Sequence, residues 1–72
     1  MRYAVVIEQG ESSFGAYVPD LPGCVAVGKT QDEVRSLIAD AVLMHLHSLQ
    51  EDGGNIPAPQ TAVDYVDVPE AA

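Results

Sequence analysis

Between Tyr17 and Val34 the chain reads Y-V-P-D-L-P-G-C-V-A-V-G-K-T-Q-D-E-V. Few foldings satisfy that order. Pro19 lacks the N–H a sheet ladder needs, so the strand carrying Tyr17 and Val18 must stop there or lie at an edge. Asp20 is placed to turn its carboxylate onto nearby backbone N–H groups, and Pro22-Gly23 suits the two central positions of a type II turn. Cys24 to Val27 then reads as a buried strand. Gly28-Lys29 interrupts it, and Thr30 with Glu33 three residues on forms a capping box that opens a helix.

The flanking residues extend this frame. Tyr3 to Glu8 is apolar, β-branched and too short for a helix, so it predicts a first strand, with Tyr3, Val5 and Ile7 on one face and Ala4, Val6 and Glu8 on the other. A polar turn at residues 9–13 leads to a second strand, Ser13 to Val18, in which Gly15 suggests a bulge or a close backbone approach. The helix is predicted from Gln31 to Asp52, ended by Gly53-Gly54. Wound at about 100° per residue, it gathers Val34, Leu37, Ile38, Ala41, Val42, His45 and Leu49 on one face, toward the sheet. Leu43 falls opposite, with Ala39 and Leu46 beside it. Ile56 to Pro59 favours extended geometry, and Thr61 to Val68 predicts a fourth strand ended by Pro69.

Counting strand directions gives an α+β domain spanning residues 1–72. It is a two-layer β-β-β-α-β arrangement with a four-stranded mixed sheet, order 3-2-1-4, and one helix on one face. The alternative, strand four beside strand three, stays open at this point. The sheet face away from the helix would be bare unless a second copy covered it. Seventy-two residues also bury only about 60% of their unfolded surface, and one cysteine cannot close an internal disulfide. A homodimer or homotetramer is therefore expected, with Tyr3, Val5, Leu43 and Leu46 as subunit contacts.

P-D-L-P-G-C, then G-K-T-Q-D-E, then a helix closing on L-Q-E-D-G and I-P-A-P resembles the HicB-type antitoxins of type II toxin–antitoxin systems, from Tyr3 to about Pro59. The resemblance implies a degenerate RNase H-like fold, favouring the order 3-2-1-4. It further implies a protein partner, a HicA-type toxin: a small basic mRNA-cleaving RNase with a double-stranded-RNA-binding fold and an active-site histidine. Such antitoxins commonly carry a C-terminal helix-turn-helix or ribbon-helix-helix segment. These residues hold no counterpart of it, so autorepression would need a DNA-binding partner. In HicB-like helices the position of His45 often carries an aromatic and that of Leu43 a charge.

Charge agrees with a protein partner on its own terms. Eleven Asp and Glu against three Lys and Arg leave a net charge of −8. Arg2, Lys29 and Arg35 are too few and scattered to neutralise a phosphate backbone, so this chain is not expected to bind nucleic acid itself. An acidic field instead speeds encounter with a basic surface. The expected toxin contacts are Asp20 in the turn, Glu51 and Asp52 at the helix end, and Leu21 as an apolar contact. The N-terminus shows no export signal and no apolar run approaches a bilayer span, so a cytoplasmic location is expected.

No catalytic, metal or cofactor residues are expected. A two-metal nuclease needs carboxylates converging on ions about 4 Å apart. Asp64 and Asp67, three apart on a strand, point to opposite faces, and Glu8 and Asp20 lack companions. His45 and His47 diverge by about 200° on a helix and cannot share a metal. His47 is placed to pair weakly with Glu51. Cys24 lacks a base and an electropositive setting, so it reads as a small core residue. Ser12-Ser13 lacks a neighbouring histidine and reads as turn chemistry. Two alternatives remain beside the antitoxin reading: a reduced, metal-dependent RNase H-like nuclease, and a solitary oligomeric HicB-like protein without a toxin.

Overall fold

The computed structural model describes residues 1–70. Three short strands, β1 (Val6–Gln9), β2 (Phe14–Tyr17) and β3 (Val25–Gly28), are followed by one helix, α1 (Gln31–Glu51). The sheet is an antiparallel meander in the order β1-β2-β3.

Local chemistry accounts for each junction. The Gly10 N–H donates to the Ser13 carbonyl at 2.8 Å and closes the first hairpin. Between β2 and β3, Leu21 N–H donates to Val18 O at 3.1 Å and Cys24 N–H to Leu21 O at 3.0 Å. Gly23 sits at φ +85°, the left-handed value that the third position of a type II turn requires. Thr30 Oγ1 accepts from the Glu33 N–H at 3.0 Å, and Glu33 Oε1 accepts from the Lys29 N–H at 3.0 Å. The first bond satisfies a donor that the opening turn of α1 would leave orphaned, and the second ties the Glu33 side chain back to the residue before the cap. At the far end Gly53 has φ +71°. Its N–H donates to Gln50 O at 3.1 Å, and the Gly54 N–H donates to Leu49 O at 2.9 Å. Those two bonds make a Schellman motif.

Helix α1 covers one sheet face, chiefly over β2 and β3. Under it, register aligns Ile7 with Ala16 and Ala16 with Ala26, so small side chains let the helix approach. Gly28 permits the closest contact: a Cβ there would lie 2.9 Å from Val34 N. The buried core is Ala16, Val18, Leu21, Cys24, Val34 and Ile38. Tyr3, Val5, Ile7, Phe14, Ala26, Ala41, Val42 and Leu46 pack against it, half-buried. The opposite face carries the rows Val6–Tyr17–Val25 and Glu8–Gly15–Val27. Tyr17, Val25 and Val27 are exposed there.

The expected four-stranded mixed sheet, order 3-2-1-4, is not what the chain forms. The sheet has three strands, all antiparallel, and residues 61–68 are exposed and outside any ladder. Their side chains explain it. Thr61, Val63, Tyr65 and Asp67 alternate with Ala62, Asp64, Val66 and Val68, so a carboxylate interrupts the apolar row on each face. High β-propensity without a clean apolar face does not make a paired strand. Three smaller corrections accompany this. Strand one starts at Val6 rather than Tyr3. The β3 strand is covered on one face only, since Val25 and Val27 are exposed. Gly15 keeps regular register with Glu8 and Val27, so it marks neither a bulge nor a close approach.

Candidate interaction surface

The four residues expected to meet a toxin separate into two pairs. Asp20 is committed within the chain. One of its carboxylate oxygens accepts the N–H groups of Gln60 and Thr61 at 3.0 and 2.9 Å, and the other accepts the Thr61 hydroxyl at 2.9 Å. These donors, the Thr61 N–H foremost, hold its pKa below the ordinary carboxylate value against a smaller opposing effect of desolvation. Leu21, expected as an exposed apolar contact, is fully buried. The bonds from Leu21 N–H and to Leu21 O tuck it under the turn, where it closes the core against Val34 and Ile38.

Glu51 and Asp52 are exposed at the C-terminal end of α1. That end carries the negative pole of the helix, equivalent to about half an elementary charge, and its last turn contains no basic residue. His47 Nε2 lies 2.8 Å from Glu51 Oε1, an exposed i,i+4 contact that is ionic only when the imidazole is protonated. Two carboxylates on a negative helix pole repel one another and the dipole. A cation brought from outside would relieve both.

The four residues expected at a subunit contact come together. Tyr3, Val5, Leu43 and Leu46 line one groove of about 400 Å³, completed by Met1, Arg2, Ala39 and Val42. Leu46 is half-buried rather than exposed beside Leu43, because it also packs on the core. Arg2 is the only Lys or Arg among the lining residues. A second cleft lies beside β3 and includes Cys24, Met44, His45, Ser48 and Asp52. Cys24 is buried there, and desolvation raises its thiol pKa, which keeps it protonated and unreactive. His45 is half-buried in the same cleft.

Sequence reasoning missed the tether from Asp20 to Thr61, because a pairing 41 residues apart leaves no local signal. It also missed Arg2 in the groove and the exposure of Met44. Of the acids weighed for metal-ion chemistry, Asp64 accepts from the Tyr65 N–H at 2.8 Å, and Glu8 is exposed. Among the described residues no group of three or more His, Cys, Asp or Glu is placed to hold a metal ion. No helix there is long and apolar enough to cross a membrane.

Comparison with known proteins places this geometry in context. The family model described as HicB_like antitoxin of bacterial toxin-antitoxin system matches residues 3–72. Antitoxin HicB 1 of Photorhabdus laumondii is 38% identical over 72 residues, covering 96% of this chain and 46% of its own length. A protein of Haemophilus phage HP1, encoded in the rep-hol intergenic region, is 30% identical over 97% of this chain and 53% of its own length. A UPF0150 protein of Thermoplasma acidophilum is 36% identical over 79% of this chain and 84% of its own length. The chain spans about half the length of the antitoxin and phage relatives it matches. No solved structure matches it significantly.

Proposed function

The chain belongs to the HicB-like antitoxin family of bacterial toxin–antitoxin systems, and on that premise we propose that it is a cytoplasmic antitoxin that binds and occludes a basic, HicA-type mRNA interferase. The observation that carries this reading is the placement of Glu51 and Asp52 on the negative pole of α1, in a chain of net charge −8. A toxin that cleaves RNA must present cations to phosphates. An acidic pole steers to those cations and covers them. Occlusion needs contact and no chemistry, so the reading assigns this chain binding rather than catalysis. Asp20 and Leu21 serve it indirectly, by holding the turn and the residues beyond Pro59 in place.

The test uses a purified basic HicA-type toxin as the partner, taken from a reading frame beside the gene where that frame encodes one. Glu51→Lys with Asp52→Lys should slow association about tenfold at low salt, and the gap from wild type should close as salt is raised. Equal association rates at low salt would remove the helix end from the interface. Failure of the unaltered chain to bind that toxin would remove the antitoxin reading itself. Cleavage of labelled RNA by the purified chain with Mg²⁺ or Mn²⁺ would favour the nuclease instead.

A further inference from the structure

Beyond Thr61 the chain leaves the domain as an arm. Val63 is 57% exposed, Tyr65 87%, Val66 85% and Val68 80%. Four large apolar side chains within six residues, interrupted only by Asp64 and Asp67 and on a backbone outside any ladder, are a costly thing to leave in water. The arm's origin is fixed: Asp20 holds Gln60 and Thr61, and the Tyr3 hydroxyl donates to the Pro57 carbonyl. Pro59, Thr61, Ala62 and Val63 run beside Arg2, Tyr3 and Ala4, so the arm starts at the lip of the apolar groove, and none of its residues lines that groove.

We propose that residues 62–68 of one copy lie in the groove of a second copy, between its N-terminal segment and α1, and that the exchange is reciprocal. Chemistry selects this occupant. The groove is apolar, lined chiefly by Tyr3, Val5, Val42, Leu43 and Leu46. Its one basic side chain, Arg2, meets an arm whose polar side chains are Asp64 and Asp67. Seven extended residues reach about 20 Å, whereas Ala39 to Leu46 advances α1 by roughly 10 Å, so the arm is long enough to cross the helix. Because arm and groove share the lip at Arg2 and Tyr3, a two-fold axis beside that lip delivers each arm to the other copy. A two-fold contact of this kind is self-complementary and closes at two chains.

Sedimentation of the full chain tests this. The unaltered chain should be a dimer at micromolar concentration. It should tighten as salt screens two like-charged copies, the opposite of the salt response expected for toxin binding. Tyr65→Asp with Val66→Asp on the arm, or Leu43→Asp in the groove, should weaken dimerisation at least about tenfold without changing helix content by circular dichroism, since all three positions are exposed. An equimolar mixture of arm variant and groove variant should recover dimer, because one intact arm then meets one intact groove. A monomeric wild type, an arm variant that dimerises normally, or a mixture no better than its parts would each overturn the exchange. Toxin affinity is measured separately, so either reading can fail alone.

Discussion

Leu21 shows how much one side chain carries in a domain this small. It is the largest of the fully buried residues and sits in a five-residue turn between two prolines and a glycine. Leu21→Ala should cost about 2–5 kcal/mol. A core of this size supplies only roughly 3–5 kcal/mol net, so the variant should be largely unfolded in a urea titration at room temperature. Asp20 beside it carries a different burden. Its folded pKa is lowered, so its anchoring of Thr61 is complete above the ordinary value of 3.8 and fades as pH falls through the folded value. Amide exchange at Gln60 and Thr61, corrected for intrinsic rates, should therefore accelerate in acid. In Asp20→Ala it should be fast at neutral pH as well, while the helix amides stay protected.

Elements in this chain are legible where their chemistry is local. Pro22-Gly23, Thr30 with Glu33, and Gly53-Gly54 each name their own turn or cap within four residues, and each closes with the expected bonds. Legibility stops where the partner is distant. Thr61 to Val68 has the composition of a strand, yet Asp64 and Asp67 break the apolar row on each face, and the paired strand expected there does not form. Leu21 reads as exposed because its neighbours are turn formers, although the turn itself drives it inward. The groove is legible only in part: Tyr3, Val5, Leu43 and Leu46 read as one contact set, whereas nothing in the spacing brings Arg2 to them. The same locality makes the β3–α1 junction brittle. In Gly28→Ala the new Cβ would meet Val34 N at 2.9 Å and Val34 Cα at 3.1 Å, backbone atoms that cannot swing aside. The expected loss is about 1–3 kcal/mol, measurable as a lower urea midpoint. Thr30→Ala should lose about 1 kcal/mol by removing the cap alone.

For the molecule as a whole, charge and size pull against each other. A net charge of −8 on 72 residues favours encounter with a cationic surface, and it also works against compaction through self-repulsion. Cations that offset this are sparse: Arg2 lies at the groove, Lys29 before α1 and Arg35 within its first turns. The isolated chain should therefore gain stability as ionic strength rises, because screening weakens repulsion in the folded state more than it weakens the few exposed attractions. Its thermal midpoint should climb between low salt and near-physiological salt. It should also climb with protein concentration, as mass action requires when the folded state self-associates. A basic toxin should raise the midpoint further by supplying the missing cations, and that increment should shrink as salt is added. Differential scanning fluorimetry at several salt and protein concentrations, with and without the toxin, separates these three dependences. If a basic partner raised the midpoint equally at low and high salt, apolar contact and not the acidic pole of α1 would hold the complex together.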